Sequence, residues 1–193
     1  MSEQMDWNER GVLPNEKTES DRVSSLYEWM EAAIFSLVVV VLIFSFLCRI
    51  VGVDGDSMQY TLIDHDRLIV SRLPYEPQHG DIVIINRYHD EPLVKRVIAT
   101  GGDTIEIRDE QVYLNEELLM EPYLPEGLKT PPYQMSGPLY IPEGYIFVMG
   151  DNRGNSHDSR SGVPGLQLVD VRNVMGKAVL RIWPFNTFGG LYS

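Results

Sequence analysis

The chain has 193 residues and a formal net charge of −12 at pH 7, enough length for one packed domain with some left for an anchor or a tail. An acidic chain without a basic stripe argues against nucleic acid as the partner, because binding phosphates takes clustered Lys and Arg. The single cysteine, Cys48, excludes an intrachain disulfide and leaves an extracytoplasmic location open.

The first segment is polar and acidic, with three basic against eight acidic residues up to Glu31, and is expected to be a flexible tail over 1–29. Residues 32–48 then carry no charge and include four consecutive valines. Continued past Arg49, which can snorkel to headgroups, the run approaches the ~20 residues that cross a bilayer as a helix. A transmembrane anchor is therefore expected over 30–51, with the lipid bilayer as a partner. The acidic lead-in replaces the basic start of a cleavable signal peptide, and no small-x-small site follows. The few positive charges beside the span place the N-terminus on the cytoplasmic side under the positive-inside rule.

Beyond the anchor, over 52–193, the pattern changes to short strands rich in branched residues: Arg67–Ser71, 81–86, 93–100, Thr104–Arg108, Gln111–Leu114, Tyr145–Met149 and 176–182. Turn signals such as His79-Gly80, Gly101-Gly102 and Glu143-Gly144 separate them. The expected fold class is mostly β, an N-terminal membrane helix followed by a twisted, barrel-like sheet. Residues 115–142 hold six prolines, which cannot donate to a ladder, so this stretch reads as an irregular insertion.

Three segments could carry chemistry. Ser57 stands in Asp54-Gly55-Asp56-Ser57, a turn-forming composition that exposes a hydroxyl. Lys95 lies on a strand face between Leu93 and Val97; apolar flanks would desolvate its amine and lower its pKa, making it a base able to activate a serine. Gly150-Asp151-Asn152-Arg153-Gly154-Asn155-Ser156-His157-Asp158-Ser159-Arg160 is dense enough in hydrogen-bonding groups to fix a loop and orient a base. Each also has an ordinary reading: a loop serine, a lysine snorkelling at a sheet edge, a solvated turn. A Ser57–His157 hydrolase with Asp158 or Asp151 is a rival, weakened because neighbours on a strand point to opposite faces. A tethered β-domain that binds peptides without cutting them is another. The four histidines, His65, His79, His89 and His157, are scattered without a His-Glu-x-x-His helix, so neither a metal nor a cofactor is expected.

Together the segments resemble the bacterial type I signal peptidases, membrane-bound Ser/Lys endopeptidases. The resemblance rests on Gly55-Asp56-Ser57-Met58 with Thr61-Leu62, Gly80-Asp81, Lys95-Arg96-Val97-Ile98-Ala99-Thr100-Gly101-Gly102-Asp103, the 150–160 loop and Arg181-Ile182-Trp183-Pro184, in the family's order behind an anchor. It implies that Ser57 is the nucleophile and Lys95 the general base. Ser156 would hydrogen-bond and orient the amine, and Asp151, Asp158 and Arg160 would shape the site through structural pairs. Val53, Asp54, Gly55, Met58, Leu62, Leu93 and Val94 would line the substrate groove. The implied substrates are signal peptides of secreted preproteins, cut after Ala-x-Ala sites, with the catalytic domain on the outer face of the bacterial cytoplasmic membrane. Two positions depart from the pattern. Tyr60 stands where the family usually has proline before its threonine. Gly55 stands where some members have a hydroxyl, so the oxyanion hole would fall to main-chain donors, including the Ser57 amide, or a water.

Overall fold

The computed structural model describes residues 19–87 and 90–191. Helix α1 spans Glu19–Leu47, a stretch without glycine or proline. From Val23 to Leu47 it is long and apolar enough to cross a membrane. The helix is offset from the anchor expected over 30–51: it begins at Glu19, and Cys48–Gly52 form strand β1. In β1, Arg49, Ile50 and Val51 pair with Val70, Ile69 and Leu68 of β2 (Arg67–Ser71), a ladder that branched side chains favour over a further helical turn. Positions 1–18 of the expected tail lie outside the described residues. The chain divides into a compact unit up to Leu42 and a second from Ile43 onward.

The second unit is built from antiparallel strands: β3 (Ile82–Arg87), β4 (Asp90–Ala99), β5 (Thr104–Arg108), β6 (Gln111–Leu114), β7 (Glu117–Leu118), β8 (Leu139–Tyr140), β9 (Tyr145–Met149), β10 (Val169–Asp170), β11 (Val174–Trp183) and β12 (Gly189–Gly190). One sheet runs β1-β2-β11-β3-β4-β9-β10, with β12 on β11; a smaller one runs β7-β6-β5-β8. The large sheet's path ends on β1 and β10, so the expected barrel is not closed. Within the insertion expected over 115–142, only the two-residue strands β7 and β8 join a sheet.

Strand β3 explains how the sheet is sandwiched. Its run Ile82-Val83-Ile84-Ile85 is buried throughout, with alternate residues in two cores. Ile82 and Ile84 pack with Val53, Met58, Leu62, Leu68 and Val70, while Val83 and Ile85 pack with Val97, Ile146 and Val148. A third cluster, with Ile98, Ile105, Val112, Ile141 and Phe147, joins the two sheets. The first core holds the serine turn in place, because Met58 and Leu62 belong to both.

Candidate active site

Between β1 and β2 the chain makes a tight excursion that carries Ser57. Its base is closed where the Val53 amide donates to the Asp66 carbonyl at 2.8 Å. Gly55 turns at φ +85°, a conformation that suits glycine, and its amide donates to Asp64 Oδ1 at 2.9 Å. The Leu62 amide returns to the Met58 carbonyl at 2.8 Å, and the two side chains, 1% and 0% exposed, peg the turn to the core. Ser57 is left half-buried at the surface. Tyr60 takes φ +88°, which a proline ring locked near −65° cannot adopt, so the departure at this position matches the local backbone.

Lys95 approaches from β4. It is 1% exposed, and its Nζ donates to Ser57 Oγ at 2.6 Å. Burial pushes the ammonium down from 10.5 to about 8, against the upward pull of Asp158; Arg160 lowers it further and Asp151 raises it. Sequence alternation is reflected in its neighbours: Leu93 and Val97 pack into one core and Val94 against the other.

The 150–160 loop encloses this pair with buried charges. Asp151 accepts from Arg96 Nε at 2.9 Å and Arg96 Nη2 at 2.7 Å, and also from Thr61 Oγ1, so it joins β4 to the serine turn. Asp158 accepts from the Gly150 amide at 3.0 Å and forks with Arg160 at 2.9 and 2.7 Å. Burial acts to raise the Asp158 carboxyl, but Arg160 and the Gly150 amide hold it below the ordinary carboxylate value. Ser156 is 8% exposed and lies against Gly150. The hydrogen bond expected from its hydroxyl to the lysine amine is not made: Ser156 Oγ is buried without a hydrogen-bond partner among the described residues, and the amine donates to Ser57. The His157 alternative loses its base: His157 is exposed, while both Asp158 oxygens are engaged with Arg160.

Gly150 is where these parts meet. A Cβ there would stand 2.3 Å from both the Ser57 carbonyl oxygen and Ser156 Oγ. Gly150→Ala is therefore expected to cost about 2 kcal/mol of stability, read from thermal unfolding, and to displace the Ser57 backbone, read from the amide shifts of the serine turn. A variant that matched the parent in both would show that this close approach is not needed.

A cavity of about 350 Å³ opens beside Ser57 between β1 and the start of β4. Val53, Asp54, Met58, Leu93 and Val94 line it, together with Ile50, Ile84 and Met175. Two expected groove residues are elsewhere. Leu62 is sealed in the first core at 0% exposure, and Gly55 faces solvent outside the cavity. Strand β1 pairs only with β2, and β9 joins β4 only from Arg96 onward, so the stretches that flank the cavity each keep an unpaired edge among the described residues. Asp54, Asp64 and His65 are close enough to share a cation, but all three are exposed, a common arrangement of surface acids.

Sequence reasoning missed the residues that hold the loop from outside. Arg153, 0% exposed, donates to the Gly150 carbonyl at 3.0 Å and to Glu121 at 3.0 and 2.5 Å. Arg96 stacks on the Tyr123 ring, its Cζ 3.8 Å from the centroid. Arg96 stood in the Lys95-Arg96 motif without a role; Glu121 and Tyr123 carry no local signal.

The family model described as signal peptidase, peptidase S26, matches residues 26–183. A signal peptidase I of Bacillus licheniformis is 40% identical over 183 residues, covering 89% of this chain and 96% of the relative. Signal peptidase I S of Bacillus subtilis is 37% identical over 172 residues, covering 84% and 91%. A crystal structure of a signal peptidase I from Enterococcus faecalis is 29% identical, with a TM-score of 0.44, and covers 54% of this chain and 98% of that one.

Proposed function

Since the chain belongs to the signal peptidase family, peptidase S26, we propose that it is a membrane-anchored serine endopeptidase that cleaves signal peptides from exported preproteins with Ser57 as nucleophile and Lys95 as general base. The observation that carries this reading is the 2.6 Å contact from a buried lysine amine to a serine hydroxyl at the mouth of a strand-lined cavity. The neutral amine takes the Ser57 proton as Oγ attacks the scissile carbonyl. The same amine then protonates the leaving nitrogen and activates the water that releases the acyl group. Ser156 is assigned to orienting the amine once Ser57 is acylated and no longer accepts from it. Since Asp64 already takes the Gly55 amide, the Ser57 amide is the main-chain donor assigned to the oxyanion, worth about 3 kcal/mol in such a role.

The signal-peptide end would enter extended and pair with an unpaired edge beside the cavity, its alternate side chains entering the apolar lining. The selection of small residues, Ala-x-Ala, is carried over from the family and is the part of the reading that the product analysis below decides. The helix Val23–Leu47 would anchor the enzyme in the cytoplasmic membrane, N-terminus inside, with the catalytic unit on the outer side.

Mass analysis of the products from a preprotein with an Ala-x-Ala site tests this. The expected cut follows the second alanine, and replacing that alanine with phenylalanine lowers kcat/KM at least about 100-fold. Cutting at another bond, or indifference to the replacement, would reject the specificity.

A further inference from the structure

The insertion does more than cover the sheet. Its segment Glu121-Pro122-Tyr123 touches Arg153 and Arg96, two of the three buried arginines around the catalytic pair. Arg153 is fully buried, and Glu121 supplies the only carboxylate hydrogen-bonded to it among the described residues, through Nη1 at 3.0 Å and Nη2 at 2.5 Å. Arg153 Nε in turn holds the Gly150 carbonyl at 3.0 Å, and Gly150 is the residue packed against the Ser57 carbonyl and Ser156. Tyr123 lies two residues on, with its ring over Arg96 and its hydroxyl donating to Glu121 Oε1 at 2.6 Å. Arg96 directly follows the general base on β4 and, through Asp151, holds the serine turn by Thr61. Pro122 between them fixes the backbone, so the two side chains are presented as one unit.

We propose that Glu121 and Tyr123 are positioning residues for catalysis, setting the Ser57–Lys95 geometry through Arg153 and Arg96 from the outside of the loop. The proposal rests on the Ser57–Lys95 reading. Its physical basis is that an unpaired buried guanidinium does not stay in place. Without Glu121, Arg153 keeps only neutral acceptors, Thr130 Oγ1 at 3.0 Å and the Gly150 carbonyl, so its buried charge loses its counter-ion and the Gly150 carbonyl it holds moves with it. Without the Tyr123 ring, Arg96 loses the face that keeps its fork planar to Asp151. Neither residue lines the cavity beside Ser57, so substrate binding is left as it was.

The test uses the full-length enzyme in detergent with a peptide spanning a signal-peptide cleavage site, and separates kcat from KM. Glu121→Gln and Tyr123→Leu are each expected to lower kcat about tenfold or more while KM stays within about twofold, the signature of lost alignment rather than lost binding. Tyr123→Phe keeps the ring and is expected to restore most of kcat. The proposal is overturned if both variants turn over at the parent rate, if the loss falls on KM, or if Tyr123→Phe is as damaged as Tyr123→Leu. Should Tyr123→Leu fail to fold, Glu121→Gln, which conserves shape, decides. Ser57→Ala run alongside separates the two readings: activity persisting there sinks the dyad itself, whereas a dead Ser57→Ala beside unaffected Glu121 and Tyr123 variants sinks only the positioning role.

Discussion

Ser57→Ala is expected to lower turnover of a signal-peptide substrate by about 10⁴-fold or more while leaving the fold intact. The loss is that large because, in the proposed mechanism, the acyl bond forms on the hydroxyl that accepts from Lys95 Nζ at 2.6 Å. The cavity, the Ser57 amide and the loop remain, so a small residual rate from binding and oxyanion stabilisation is all that should survive. Stability should be nearly unchanged, since Ser57 is half-buried and the turn is held by Met58, Leu62 and backbone hydrogen bonds. Turnover measured beside a thermal melt checks both halves. Retained turnover would exclude Ser57 as the nucleophile.

Replacing Lys95 separates activity from stability in opposite directions. With its ammonium pushed down to about 8, the amine is largely charged at neutral pH, and kcat/KM should climb about tenfold per pH unit below that value and level off above it. Lys95→Met should be inactive at every pH, and Lys95→Arg as well, because a guanidinium stays charged. The sign for stability follows from the same shift. Below about 8 the amine is protonated in folded and unfolded chains alike, and the folded state carries the cost of desolvating it. Between about 8 and 10.5 the folded state binds fewer protons than the unfolded one, so stability rises with pH and then levels off. At neutral pH the cost is at most ~3 kcal/mol, so Lys95→Met should melt at or above the parent temperature. A flat pH–rate profile, or a variant that melts well below the parent, would contradict a buried amine acting as base.

Legibility differed by the kind of signal. The strands Arg67–Ser71, Thr104–Arg108, Gln111–Leu114 and Tyr145–Met149 were readable to the residue, because branched runs end at local turn chemistry. Strand β1 was not, since Ile50 and Val51 continue an apolar helix and only pairing with β2 makes them a strand. The open edge of the large sheet was equally hidden: alternation gives a strand its faces but not its neighbours. At the site, Ser57 and Lys95 stood out by motif, whereas Leu62, expected in the groove, is turned into the core by the Met58–Leu62 hydrogen bond.

The amino-acid order alone determined the membrane-length helix and the mostly-β domain behind it, whereas the grouping of Ser57, Lys95 and the polar loop came from the family resemblance. The helix and the strands are local, set by hydropathy, periodicity and turn residues over a few positions. Only the tertiary structure decided that Ser57 and Lys95, 38 residues apart, meet at 2.6 Å, and that the amine is buried enough to lose its proton near pH 8. It also decided which residues brace them. Glu121 reaches Arg153 across 32 positions of chain, a pairing that no pattern along the sequence encodes, because it forms only when the proline-rich insertion folds back on the loop.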